Sequence, residues 1–187
     1  MNIKHMLLIA LMMAVSLAYS SVHAELAIDE RFPVRIPTGY VLGAQQTDKD
    51  PISYEFIPEG QTVDNWQDMI TVLTLPKLAK LTPTEFADYI KKSWTNSCEK
   101  SESSKGVFPL ENGYHSAFWV AFCPLSSVTK KPELTFFKAT QGKKAMYVVQ
   151  RSFTYMPEEQ DFIKWSQYLA SIFLCDAKDD KHPCITA

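Results

Sequence analysis

The chain has 187 residues, of which 46% are hydrophobic and 21% charged, with 19 Lys and Arg against 21 Asp and Glu. So balanced a charge lacks the broad positive field that nucleic acid or an anionic membrane surface would attract, and no helix-turn-helix or zinc-finger spacing is present. The length suits one domain, large enough to bury about two-thirds of its unfolded surface.

Lys4 and His5 precede thirteen uncharged residues, Met6 to Ala18, and the run gives way to Tyr19, Ser20 and Ser21. Val22-His23-Ala24 then fits the small-residue rule of a signal peptidase site. The apolar run falls short of the roughly 20 residues that cross a bilayer, and no Cys follows it to carry a lipid. The expectation is a signal peptide at residues 1–24, followed at 25–187 by a single exported α+β domain, periplasmic or extracellular. Lys4 is the only Lys, Arg, Asp or Glu in that leader, so the mature chain carries 18 basic against 21 acidic side chains, a formal charge of −3.

Tyr40 to Gln45 and Ile52 to Ile57 read as strands joined through the turn-rich Thr-Asp-Lys-Asp-Pro. Met69 to Leu75, with β-branched Ile70, Thr71, Val72 and Thr74, reads as a third. Between the last two, Pro58 to Gly60 make a turn, and Asp64-Asn65 can bond the backbone ahead of Trp66. Trp66 has two readings: a plug for one edge of the core, as large aromatics usually serve, or the centre of a patch with Glu59, Asp64 and Asn65 that docks a protein partner.

Thr82-Pro83-Thr84-Glu85 places a Thr N-cap, a Pro at the first helical position and a Glu that closes a capping box. Phe86, Tyr89, Ile90 and Trp94 then recur at helical spacing, with Asp88, Lys91 and Lys92 on the opposite face. Past a polar loop, Val107 to Leu110 and Tyr114 to Cys123 read as strands around Glu-Asn-Gly (residues 111–113). The second carries apolar residues on both faces, the mark of a central strand covered on two sides. Leu134 to Ala139 and Ala145 to Phe153 suggest a hairpin, with Gly142 free to take a positive φ. A helix from about Pro157 to Leu174 closes the chain, its stripe formed by Phe162, Trp165, Leu169, Ile172 and Phe173. Glu158 and Glu159 suit the positive end of its macrodipole.

Cys98, Cys123, Cys175 and Cys184 all follow the leader, and an even count there reads as a disulfide framework. Three connectivities are open; Cys98–Cys123 with Cys175–Cys184 is favoured because the last two flank a short polar tail. In a chain-entropy treatment each bridge is worth roughly 3 kcal/mol. No C-x-x-C spacing suggests a redox pair, and only His115 and His182 could assist a metal site, so no metal and no cofactor is expected. His115 is the one histidine inside a predicted element. It is either a general base near Ser116 or Tyr114, or a hydrogen-bonded core residue of a buried strand. No nucleophile elbow, zinc-protease helix or phosphate loop occurs, and six glycines leave little material for the last.

Three strands, a helix, four strands and a helix make an antiparallel sheet of about six or seven strands with a helix on each face. This order resembles the PsbP-like fold, a three-layer sandwich used by photosystem extrinsic subunits, a nuclear-transport cofactor and bacterial secreted lipoproteins. The segment Tyr54-Glu55-Phe56-Ile57-Pro58-Glu59-Gly60-Gln61, followed by Asn65-Trp66-Gln67-Asp68-Met69, resembles small exported proteins of Gram-negative bacteria. That resemblance implies location and fold and carries over no catalytic residue. The expected function is a non-enzymatic binding or accessory module acting in secretion, the envelope or host contact. Two alternatives stand beside it: a hydrolase with a site near His115, and a carrier whose apolar ligand lies between helix and sheet.

Overall fold

The computed structural model describes residues 29–184, so the signal peptide expected at 1–24 lies outside the described residues. The strands are β1 (Glu30–Arg31), β2 (Tyr40–Gln46), β3 (Ile52–Pro58), β4 (Asp68–Leu75), β5 (Glu102–Ser103), β6 (Leu110–Glu111), β7 (Tyr114–Cys123), β8 (Glu133–Gln141), β9 (Met146–Phe153) and β10 (Cys175–Asp176). Two α-helices interrupt them, α1 (Pro83–Ser97) after β4 and α2 (Glu159–Ala170) after β9. The main sheet has eight strands in the order β2-β3-β4-β9-β8-β7-β5, with β6 added on β7, and every pairing in it is antiparallel. β1 and β10 pair separately.

The pleat sends alternate residues of each strand to opposite faces, and each face meets one helix. Ala117, Trp119 and Ala121 of β7, Phe137 and Ala139 of β8, and Met146 and Val148 of β9 pack under Phe86 and Ala87 of α1. Phe136, Val149, Phe153 and Ile70 pack on the other face under Trp165 and Leu169 of α2, together with Ile172 just beyond it. The capping box at Thr82 forms as expected, Glu85 N–H donating to Thr82 Oγ1 and Thr82 N–H to Glu85 Oε2.

Several expectations are corrected. β7 is not central; β9 and β8 are, and beyond β7, on the side away from β8, lie only the short β5 and β6. Its outer edge is covered by loop and bridge contacts such as Val107 with Phe118, so apolar faces reported coverage rather than position. Tyr89 turns to solvent while Ala87 takes its place, because residues 86, 87, 90 and 94 share the inward side of α1. Phe162 and Phe173 keep part of their surface exposed, and α2 is shorter at both ends than the predicted helix. Gly142 needs no positive φ; its role is close approach, since a Cβ there would lie 2.7 Å from Glu30 Oε2 and 2.6 Å from the Tyr147 ring.

The cysteines form Cys98–Cys123 and Cys175–Cys184. The first joins the end of α1 to the end of β7, and the second pins the tail, whose Asp176 N–H donates to the His182 carbonyl. Among the described residues no helix is long and apolar enough to cross a membrane. Disulfides of this kind are consistent with export into an oxidising compartment.

Candidate functional site

A cleft of about 360 Å³ opens between α2 and the sheet. Ser116 and Phe118 of β7 and Lys138 of β8 form its floor, Ser166, Gln167 and Ala170 of α2 its roof, and Val107, Pro109 and Glu111 one wall. The opening has a local cause. Trp165, Leu169 and Ile172 draw the helix down over β8 and β9, while the side facing β7 offers only Ser166, Gln167 and Ala170. These are too short or too polar to fill the space above Phe118. The rim is apolar and exposed, with Val107, Phe108, Leu110 and Phe173 all at least 42% accessible.

Nearly all of the lining is apolar except at one end. There Lys138 Nζ lies 2.8 Å from Glu111 Oε2, the lysine side chain only 2% exposed and the glutamate 16%. Burial pulls the ammonium below its ordinary range, opposed by the Glu111 carboxylate. The Phe173 ring lies 5.1 Å from the same nitrogen. Beneath the pair, Ser116 Oγ and Thr140 Oγ1 share a buried hydrogen bond of 2.9 Å.

Local sequence aims the glutamate. Asn112 and Gly113 both adopt positive φ, 47° and 77°, and connect Glu111 of β6 to its partner Tyr114 of β7 by a two-residue turn. Asn-Gly is the pair that such a primed turn demands. Asn112 Nδ2 also donates to the Leu174 carbonyl, tying the hairpin to the segment that follows α2. Lys138 has one mark in the sequence: it interrupts the apolar run Leu134-Thr135-Phe136-Phe137-Lys138-Ala139. Motif searching passes over such a residue, and its pairing with Glu111 is invisible until β7 and β8 align.

His115 does not form the site expected of it. It is exposed, and its neighbours Tyr114 and Ser116 point to the other face of β7, as alternation requires. Tyr114 is buried with its ring 4.5 Å from that of His182, and Ser116 is held by Thr140. The general-base arrangement is therefore absent, and so is the buried-core alternative.

The predicted partner patch is partly assembled. Trp66 is half-buried and lines a second groove of about 290 Å³ with Glu55, Met69, Trp94, the Cys98–Cys123 bridge and Glu133. Asn65 Oδ1 accepts from Lys131 Nζ at 3.2 Å. Glu59 and Asp64 are exposed on the turns and do not line the groove. Burial pushes the Glu133 carboxyl upward, a hydrogen bond from Ser126 offsetting part of this. Trp66 stands two residues ahead of β4, which begins at Asp68.

No family profile and no curated protein matches this chain. Solved structures do. The Ran-binding protein Mog1p of Saccharomyces cerevisiae superposes with a TM-score of 0.45 at 11% identity, covering 71% of this chain and 76% of that one. A point mutant of Mog1 gives a TM-score of 0.45 at 12% identity with the same coverage. Identity this low says nothing of activity.

A third constellation is centred on a buried cation. Arg151 of β9 is fully buried, its Nη2 donating to Asp68 Oδ2 at 2.5 Å and to the Tyr40 hydroxyl. Its guanidinium lies 3.7 Å from the Trp165 ring centroid and 4.9 Å from that of Phe153, a stacking geometry that Arg favours. The cage joins α2 to three strands.

Proposed function

We propose that this chain is an exported, non-enzymatic binding module of the PsbP-like class, belonging with small exported proteins of Gram-negative bacteria, and that its working site is the cleft between α2 and β7–β8. The observation that carries this is the cleft itself: a concave, mostly apolar pocket with a few convergent polar groups, within the range of small-molecule sites, roughly 300–1,000 Å³. The exposed Val107, Phe108 and Leu110 give an apolar ligand a path inward, and such patches commonly mark interaction sites.

The uncharged dye N-phenyl-1-naphthylamine is expected to bind the folded protein saturably at one site, with its emission enhanced. Ala170→Trp, which sets an indole at the cleft from an exposed helix position, should weaken that binding about tenfold with little change in melting temperature. Dye binding that is unsaturable, or indifferent to Ala170→Trp, would remove the cleft from consideration.

The Trp66 groove favours a second reading, a protein partner docked outside the cytoplasm, because a half-buried Trp beside a second Trp is the composition of interface anchors. A photo-crosslinker at Gln67, exposed next to Trp66, is expected to capture a specific partner in intact cells where one at Lys92 does not. Equal capture at both positions would count against it.

A further inference from the structure

Resting on the cleft as the binding site, we infer that its ligand is an uncharged single-chain amphiphile, with an apolar body and a hydroxyl or carboxamide head that lies between Lys138 and Glu111. The polar end of the cleft is chemically incomplete. An ammonium carries three N–H donors, and Glu111 Oε2, 2.8 Å away, is the one acceptor paired with Lys138 Nζ among the described residues, so two N–H groups are left without a protein acceptor. The nitrogen is shielded from bulk water, where its remaining donors would otherwise find partners, and a buried donor without an acceptor is costly.

A head that both accepts and donates completes the pair. A hydroxyl oxygen takes an N–H from Lys138 while its own proton goes to a Glu111 oxygen, and a carboxamide does the same with its C=O and N–H. Net charge decides against the ions. Lys138 and Glu111 already neutralise each other, so a carboxylate head would leave one uncompensated negative charge in a poorly solvated site, and an ammonium head one positive charge. The walls of Val107, Pro109, Phe118 and Ala170 take the chain. A volume at the lower end of the small-molecule range suits one chain rather than a two-chain lipid.

The test is displacement of N-phenyl-1-naphthylamine from the disulfide-intact protein by dodecan-1-ol, dodecanoate and dodecylammonium near neutral pH. The alcohol is expected to displace about tenfold better than either ion. Glu111→Gln, on a partly exposed hairpin, leaves the lysine charge alone and should shift the preference to dodecanoate. Glu111→Gln with Lys138→Met removes both charges, a replacement that ion pairs often tolerate, and should erase preference while keeping chain binding. Binding of all three without preference, or a preference unmoved by these variants, overturns the head-group assignment and leaves the cleft reading intact. If neither dye nor dodecanol binds, the cleft reading falls and this inference with it.

Discussion

Asp68→Ala should destabilise the fold by about 3–5 kcal/mol, the cost of leaving a buried guanidinium without the carboxyl that accepts its hydrogen bond. Arg151 is fully buried, Asp68 is its only carboxylate partner among the described residues, and its Nε and Nη1 already lack hydrogen-bond partners. The rings of Trp165, Phe153 and Tyr40 hold the cation in place but do not replace the carboxyl oxygen. Replacing both members, Asp68→Leu with Arg151→Met, should restore most of the loss, since well-packed apolar side chains often equal or exceed a buried pair.

The pH dependence has a definite sign. Burial holds the Asp68 carboxyl above its ordinary 3.8, and the attraction of Arg151 and the hydrogen bonds from Tyr40 and Arg151 offset this only in part. A carboxyl raised on folding binds its proton more tightly in the native state, so its contribution is full below 3.8 and is lost as pH rises through the higher folded value. The wild type should therefore lose stability relative to the double variant as pH rises across that window. Urea unfolding of the three proteins along a pH series measures both effects. A single variant as stable as the wild type at neutral pH would show that the cage, not the ion pair, carries Arg151.

Removing the Cys98–Cys123 bridge with paired Ser substitutions should cost about 3.5 kcal/mol, the chain-entropy value for a separation of 25 residues. For a domain of this size that is a fall in melting temperature of roughly 7–14 °C. The bridge also has a local duty. It ties the last turn of α1 to the end of β7, and both sulfurs' residues line the Trp66 groove with Trp94. Crosslinking from Gln67 should therefore weaken in the bridge-free protein even below its melting temperature. Opening Cys175–Cys184, with 9 residues of separation, should cost less, about 2.5 kcal/mol. Scanning calorimetry of the two double-Ser proteins compares them directly; a larger loss from the shorter loop would contradict the entropic account.

Features written in contiguous residues are legible in the sequence alone. Thr82, Pro83 and Glu85 specify the start of α1 because a capping box is a contact between residues three apart. The alternation through Tyr114 to Cys123, the turn at Asn112-Gly113 and the Trp165, Leu169, Ile172 stripe are likewise local codes, readable from periods of 2 and 3.6. Less legible were the two-residue strands β1, β5 and β10, too short to show a period, and the inward positions on each helix, which depend on where the sheet lies beneath it.

The site residues divide by the same physics. Trp66 stood out because a lone tryptophan after a turn is conspicuous by type, and the structure brings it to a groove while leaving Glu59 and Asp64 outside. Lys138 and Glu111 drew no notice because each is unremarkable alone; a lysine in a strand is usually at an edge, and a glutamate before Asn-Gly is usually solvated. They meet because β8 pairs with both β7 and β9, burying Lys138 opposite Phe118, while the Asn-Gly turn carries Glu111 back over the same strand. Arg151 meets Asp68 through pairing across 83 residues of sequence. Local sequence settled the elements, because propensity, capping and periodicity act over a few residues. Strand order, the cleft and the two buried ion pairs arose only when strands distant in the chain were set side by side, because register decides which side chains share a face and which charges leave water together.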